Sequence, residues 1–110
     1  RVSKLAAGDI SHSMARTYDI EVYIPSIDIY KEVSSASNAR DYQARRGMVR
    51  YRDKESGKTR FVHTLNASGL ATSRIFPAIF EQYQQEDGSV IVPEVLRPFF
   101  LRIFLRLLVL

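Results

Sequence analysis

The chain has 110 residues, of which 45% are hydrophobic and 25% are charged, and its net charge is +4. This is the composition of an ordinary globular domain, and it excludes a disordered, collagen-like or mucin-like chain. There is no cysteine, which excludes disulfides, thiolate metal sites and cysteine nucleophiles. The lack of cysteine is compatible with a reducing compartment, and we expect a cytoplasmic location.

Basic residues are concentrated in one stretch of the sequence. Residues 40–60 contain eight basic and three acidic residues, which gives this segment a net charge of +5. Such a segment can attract phosphate or nucleic acid through its summed field. The alternative is a solvated strand and turn, because residues 53–58 have the composition of an exposed hairpin loop. For a charge run at a surface, this alternative is the commoner one.

The first half of the sequence predicts two strands and a helix. Residues 18–24 alternate with a period of two, which indicates a half-buried strand ended by Pro25. The apolar face of this strand would carry Tyr18, Ile20, Val22 and Ile24. A second strand is predicted over residues 29–35, running into the small polar stretch 34–38, and a short helix over 39–46.

The second half predicts a hairpin, a long helix and a last short strand. Residues 48–52 and 59–65 flank the Ser-Gly loop as an antiparallel hairpin. Apolar residues after Gly69 follow helical spacing, but Pro77 predicts a kink or a later helix start. A strand follows over residues 90–92. This order favours an α+β fold with an antiparallel sheet.

Two polar stretches are candidates for chemistry. In the first, alternation places Glu32 and Ser34 on one strand face, with Ser35 at the mouth of the strand. A carboxylate beside hydroxyls can hold Mg²⁺ against phosphate oxygens, although a solvated glutamate at a strand end is commoner. In the second, a strand leads through a Gly/Ser turn into a helix whose first turns contain Arg74. Backbone donors and a guanidinium there could hold a phosphate, and a capped helix with a surface arginine is an equal alternative.

Five segments of the sequence occur in the order found in seryl-tRNA synthetases. They are residues 18–25 (YDIEVYIP), 31–38 (KEVSSASN), 41–46 (DYQARR), 63–71 (HTLNASGLA) and 92–98 (VPEVLRP). The sequence therefore resembles the seryl-tRNA synthetase family over about residues 4–98. The resemblance implies an α+β fold that is part of a class II aminoacyl-tRNA synthetase catalytic domain, an antiparallel sheet flanked by helices.

The resemblance also implies an activity and a set of ligands. In that family, ATP activates L-serine to seryl-adenylate, and the seryl group then passes to tRNA(Ser). We therefore expect a serine–tRNA ligase that uses ATP and Mg²⁺, acts as a homodimer at full length and does not bind a membrane.

Site residues follow from the same resemblance, position by position. ATP would be bound by residues of the second segment and the later arginine: Glu32, Val33, Ser34, Ser35 and Arg74. Glu32 and Ser35 would hold Mg²⁺, Ser68 and Asn66 would line the serine pocket, and Arg74 would cover the adenine and reach the γ-phosphate. Glu32 and Arg74 are the predicted catalytic residues, expected to face one another across a single cleft.

Several features depart from the family pattern. Ala67 stands where the family commonly has glycine, which is tolerable unless the backbone needs a positive φ. Pro77 interrupts a helix that the family usually continues. The first two signature motifs and the tRNA-binding arm are absent, so we interpret residues 1–98 as the C-terminal portion of the catalytic domain and expect the isolated chain to be inactive.

The end of the sequence, residues 99–110, is an atypical apolar tail. It is too short to span a bilayer, which takes roughly 20 apolar residues. Arg102 and Arg106 would share one face of a helix, so an interfacial membrane helix is a possible alternative. A shifted reading frame or a truncated gene after Pro98 explains the break in pattern more simply.

For the chain as a whole, the alternative function is a non-catalytic remnant that binds nucleotide, RNA or a protein partner.

Overall fold

The computed structural model describes residues 1–100 and, as backbone only, 104–106. The elements, in chain order, are β1 (Val2–Lys4), β2 (Arg16–Ile24), β3 (Ile29–Arg40), α1 (Tyr42–Gly47), β4 (Arg50–Arg52), β5 (Thr59–Phe61), β6 (Thr64–Ala67), α2 (Thr72–Tyr83), β7 (Ser89–Ile91) and β8 (Phe104–Arg106). Two 3₁₀ turns lie at Pro25–Ile27 and Glu94–Phe99. A four-stranded sheet has the order β1-β2-β3-β6. The predicted α+β class with an antiparallel sheet is therefore confirmed.

The described residues form two compact units. The first contains residues 1–21 and 32–71, and the second contains residues 22–31 and the part that follows residue 71. In the first unit, β1 pairs with β2 and β3 pairs with β6, both antiparallel, so that Ser3 lies opposite Asp19 and Ser37 opposite Asn66. The buried residues of this unit include Val33, Ala39 and Ala44.

The predicted strand over residues 18–24 is present, but burial of its apolar face is confirmed only toward the end of the strand. Tyr18 and Ile20 are 39% and 50% exposed, whereas Thr17 and Asp19 on the opposite face are 6% and 8% exposed. Alternation fixes which residues share a face, but it does not determine which face the rest of the fold covers. In the first half of this strand the polar face is covered, at Thr17 and Asp19, whereas at its end the apolar face is covered, since Ile24 is 7% exposed.

β3 extends beyond its predicted end. The polar stretch 34–38 belongs to the strand, which continues to Arg40, and Ser35 therefore lies inside the strand and not at its mouth. The cause is β6, which pairs with β3 from Ala36 to Arg40 and satisfies its backbone groups there. The predicted hairpin is confirmed for β4 and β5, but its second arm ends at Phe61 and the following strand joins β3.

α2 in the second unit begins at Thr72 with Pro77 inside it. Of the two predicted alternatives, the later helix start is wrong, and the kink stays a prediction. Proline holds φ near the helical value and removes a single N–H, so the helix loses one backbone bond there. Contacts with the turn at Pro25–Ile27 support the helix. Ser26 donates from its backbone N and its Oγ to the Glu81 carboxylate, at 3.0 and 2.8 Å.

The second unit has a small core of its own. Val90, Val92 and Ala78 are 1–2% exposed, and β7 pairs antiparallel with β8. Because Phe104–Arg106 is a strand, the alternative of an amphipathic helix fails at these residues, and the rest of the tail after residue 100 lies outside the described residues. In the part of the chain that the structure describes, no helix is long and apolar enough to cross a bilayer.

We expect shortening of the Val92 side chain to destabilise the second unit. Val92→Ala removes two buried carbons and leaves a cavity, which should lower the free energy of unfolding by about 2 kcal/mol. Val95→Ala is the matched control because Val95 is 78% exposed, and its effect should stay within about 0.5 kcal/mol. Urea unfolding followed by circular dichroism measures both, and equal effects would contradict the assignment of this core.

Candidate functional site

The loop that follows β6 is fastened to the middle of β3 by a set of reciprocal hydrogen bonds. Ser34 Oγ donates to the Ser68 carbonyl oxygen at 2.6 Å, and Ser35 N donates to Ser68 Oγ at 3.0 Å. In return, Ser68 N donates to the Ser35 carbonyl oxygen at 3.0 Å, and Ala71 N donates to the Val33 carbonyl oxygen at 2.7 Å. Two segments that are 33 residues apart in sequence therefore lie side by side, as two neighbouring parts of one site require.

These contacts divide the predicted ATP-binding residues into two kinds. Val33 and Ser34 are buried, and the Val33 carbonyl and the Ser34 hydroxyl are already engaged with the loop. Both residues therefore support the loop structurally. Glu32 and Ser35 are half-buried, so their side chains remain accessible to a ligand. The roles assigned to all four residues toward ATP stay predictions.

The predicted serine-lining residues lie next to β3. Asn66 is in β6 opposite Ser37, whose Oγ is 2.8 Å from Thr17 Oγ1 on β2, so these three side chains share one face of the sheet. Asn66 and Ser68 are both exposed. Ala67 between them lies in an extended strand and is not among the residues with positive φ, so its methyl group strains nothing here.

Asp19 is the residue that sequence reasoning missed. It is buried on the polar face of β2, and its Oδ1 has no hydrogen-bond partner among the described residues. Burial raises the pKa of Asp19, and the negative charges of Glu32 and Glu21 raise it further. The signal in the sequence was the alternation of Thr17, Asp19 and Glu21, which marks a polar sheet face as clearly as the apolar residues mark the other.

The pKa of Glu21, the next residue on the same face of β2, is shifted in the opposite direction. Glu21 accepts hydrogen bonds from Arg1 Nε at 2.6 Å and from Ser3 Oγ at 2.8 Å. These bonds lower the pKa of Glu21, so its shift is opposite in direction to that of Asp19. The polar face therefore holds Glu21, which is paired with Arg1, and Asp19, which forms no ion pair with any of residues 1–100.

The predicted Mg²⁺ ligands, Glu32 and Ser35, are too few to hold the ion without further ligands. Among the described residues, no group of three or more acidic or histidine side chains could hold a metal by itself. Glu32 and Ser35 offer one carboxylate and one hydroxyl. That set suits Mg²⁺ which is also held by substrate phosphates and water, because Mg²⁺ commonly binds through one or two carboxylates plus phosphates.

Arg74 lies in the first turn of α2 and is exposed. It belongs to the second unit, whereas Glu32, Ser35, Asn66 and Ser68 belong to the first. Among these four candidates, the structure places Ser35 and Ser68 in contact, and their assembly into one site stays a prediction. The expected pairing of Glu32 and Arg74 across one cleft stays a prediction.

The family assignment follows from comparison with known proteins. Residues 1–83 match the family model described as the tRNA synthetase class II core domain (G, H, P, S and T). Because this match covers most of the chain, the chain belongs to the class II tRNA synthetase core-domain family. The resemblance found in the sequence is confirmed.

Within that class, the curated relatives are serine–tRNA ligases. The chain is 71% identical over 97 residues to Serine–tRNA ligase 2 of Clostridium acetobutylicum and 60% identical over 99 residues to Serine–tRNA ligase of Cellvibrio japonicus. These matches cover 88% and 90% of the chain but 23% of either relative. The chain thus spans less than a quarter of the length of the relatives it matches.

Solved structures give the same result. Seryl-tRNA synthetase from Pyrococcus horikoshii, complexed with ATP, is similar with a TM-score of 0.86 and 44% identity over 94% of the chain and 23% of that structure. Cytoplasmic serine–tRNA ligase from Naegleria fowleri, in complex with AMP, is similar with a TM-score of 0.77 and 39% identity over 90% of the chain and 23% of that structure.

Loss of the Ser34 hydroxyl should loosen the loop after β6. Ser34→Ala leaves the Ser68 carbonyl without its donor in a partly buried place, which should lower the free energy of unfolding by about 1 kcal/mol. Ser11→Ala, at an exposed position, is the control and should change it by less than about 0.5 kcal/mol. Urea unfolding measures both, and an unchanged Ser34→Ala variant would show that the bond does not contribute.

Asp19 should make the stability of the chain fall as the pH rises. Its pKa is raised in the folded state, so the folded chain binds more protons than the unfolded chain between about pH 3.9, the unfolded value, and the folded pKa. As the pH rises through that interval, the free energy of unfolding of the wild type should fall relative to that of Asp19→Asn. At pH values above the folded pKa, the difference between the two proteins should be constant. Urea unfolding at a series of pH values measures this.

The control for that experiment is Asp9→Asn, which removes an exposed acidic charge. Its stability difference from wild type should be nearly flat over the same pH range. If Asp19→Asn became less stable than wild type as the pH rose, Asp19 would have a favourable cationic partner and the assignment would be wrong.

Proposed function

We propose that the chain is part of a serine–tRNA ligase and contributes portions of its ATP site and serine site. The observation that carries this proposal is the fastening of the Ser68 loop to β3, since it joins the predicted metal-binding strand to the predicted serine-lining loop. Further support is the 57–71% identity to serine–tRNA ligases and the similarity to a synthetase solved with ATP.

In the proposed reaction, the carboxylate of L-serine attacks the α-phosphorus of ATP, forming seryl-adenylate and releasing pyrophosphate. The seryl group then passes to the terminal adenosine of tRNA(Ser). Bound Mg²⁺ would neutralise charge on the phosphates, and Glu32 and Ser35 would hold it. Such positioning and charge stabilisation are the main contributions a protein makes to reactions at phosphorus.

The other residues have separate tasks in this proposal. Small polar groups at Asn66 and Ser68 would line a pocket for a small hydroxylated amino acid and orient its carboxylate. Arg74 would lie against the adenine and bind the γ-phosphate, because a guanidinium can both stack on a ring and form a bidentate pair with phosphate. We also propose that the full-length protein acts as a homodimer.

A chimeric enzyme provides the test of this function. Residues 4–98 would replace the matching segment of the Clostridium acetobutylicum ligase, which is 71% identical over 97 residues. We expect the chimera to catalyse serine-dependent exchange of pyrophosphate into ATP. Glu32→Gln and Arg74→Ala should each lower the exchange rate roughly a hundredfold or more.

The matched controls are Glu55→Gln and Arg52→Ala, which make similar changes in the exposed β4–β5 hairpin and its loop. Both should leave the exchange rate unchanged. A folded chimera without exchange, or exchange that does not depend on serine, would overturn the proposal. The isolated chain should show little or no exchange.

A further inference from the structure

A second surface of the first unit is built of basic side chains that the ligase chemistry does not use. We define the basic hairpin surface as Arg46 of α1, Arg50 and Arg52 of β4, and Lys54 and Lys58 of the following loop. All five residues are exposed. The two strands of this hairpin form a sheet of their own, with Arg50 opposite Phe61 and Arg52 opposite Thr59.

The acidic residues of this region do not neutralise the surface. Asp41 forms an ion pair with Arg45, and Asp53 lies 3.9 Å from Arg60 while also accepting backbone bonds from the loop. Among the ion pairs of the described residues, none involves a member of the basic hairpin surface. Glu55, which is exposed in the same loop, offsets one of the five positive charges, so the surface presents a net positive charge to solvent. Binding an anion there would require little desolvation of buried groups.

Its arginines are held in place before any ligand arrives. The guanidinium carbon of Arg46 lies 3.5 Å from the centre of the Tyr42 ring, and that of Arg50 lies 4.6 Å from the centre of the Phe61 ring. Arg52 Nε donates to the Gly57 carbonyl oxygen at 3.2 Å. A guanidinium stacked on a ring keeps its N–H edge for a phosphate, and a side chain that is already ordered loses less entropy on binding.

The register places the charges in a line. Arg50 and Arg52 are two residues apart on one strand and share a face, so their side chains emerge roughly 6.7 Å apart. Arg60 is opposite Tyr51 and therefore lies on the other face. A row of forked cationic groups suits a chain of phosphates, because each guanidinium can make a bidentate pair with one phosphate.

We propose that the basic hairpin surface binds the phosphate backbone of RNA. This inference does not depend on the ATP and serine site, since none of its residues belongs to that site. Binding would be largely independent of sequence and strongly dependent on salt, because phosphate contacts release counterions and read no bases.

The experiment measures fluorescence anisotropy of a labelled 20-nucleotide single-stranded RNA with the 110-residue chain, from 50 to 300 mM NaCl. The double variant Arg50→Gln/Arg52→Gln should bind about tenfold more weakly at 150 mM salt. Its plot of log affinity against log salt should be shallower by about 1.4, which is 0.7 for each lost contact with a single strand. Lys54→Gln/Lys58→Gln should behave similarly and serves if the first variant fails to fold by circular dichroism.

The matched control is Arg60→Gln, which removes the same charge from the opposite face, where Asp53 is the partner. It should change affinity less than twofold. Three results would each overturn the proposal: no RNA binding at 50 mM salt, equal losses in Arg60→Gln and either double variant, or binding to vesicles of phosphatidylcholine and phosphatidylserine without binding to RNA. The assay contains neither ATP nor serine, so its failure is distinct from failure of the exchange reaction.

Discussion

The candidate site depends on one set of hydrogen bonds, the reciprocal contacts between the middle of β3 and the loop after β6. Ser68 takes part through its N–H, its carbonyl and its hydroxyl, and each of these groups has a partner on Ser34 or Ser35. Backbone groups of a loop beside a sheet must be paired or solvated, and here the strand pairs them. As a result, a strand carrying a carboxylate and a loop carrying small polar groups are held side by side by hydrogen bonds.

Asp19, on the polar face of β2, is buried at a cost in folding stability, and such a cost is a common feature of functional sites. Asp19 is buried with an unpartnered oxygen, and burial together with Glu32 raises its pKa. Glu21 on the same strand is instead stabilised as an anion by Arg1 and Ser3. Residues that disfavour folding in this way tend to occur at functional sites, where charge is arranged for a ligand. The charge of Glu32, the residue proposed to hold Mg²⁺, is one of the influences on Asp19.

The two proposals assign different tasks to the two kinds of basic residue in the chain. Arg74, at the start of α2, is assigned to a nucleotide, whereas the basic hairpin surface is assigned to a long polyanion. The difference lies in their surroundings. Arg74 lies in the first turn of a helix. The arginines of β4 lie in a two-stranded sheet, where Arg50 stacks on the Phe61 ring and Arg52 donates to the Gly57 carbonyl oxygen. One arginine can serve one phosphate group, and a row of them is suited to a backbone.

The sequence by itself determined the fold class, the existence of most strands and helices, and the family. It could do so because alternation, helical spacing, turn residues and the five matching segments are all local in the chain. Only the tertiary structure decided that Thr17 and Asp19 of β2 are buried, that β3 continues to Arg40, and that Ser68 binds Ser34 and Ser35. Each of these depends on which distant segment lies alongside a strand, and a period of two is the same whichever face is covered. Asp19 was missed for this reason, since its burial and its unpaired oxygen arise from neighbours that are remote in sequence.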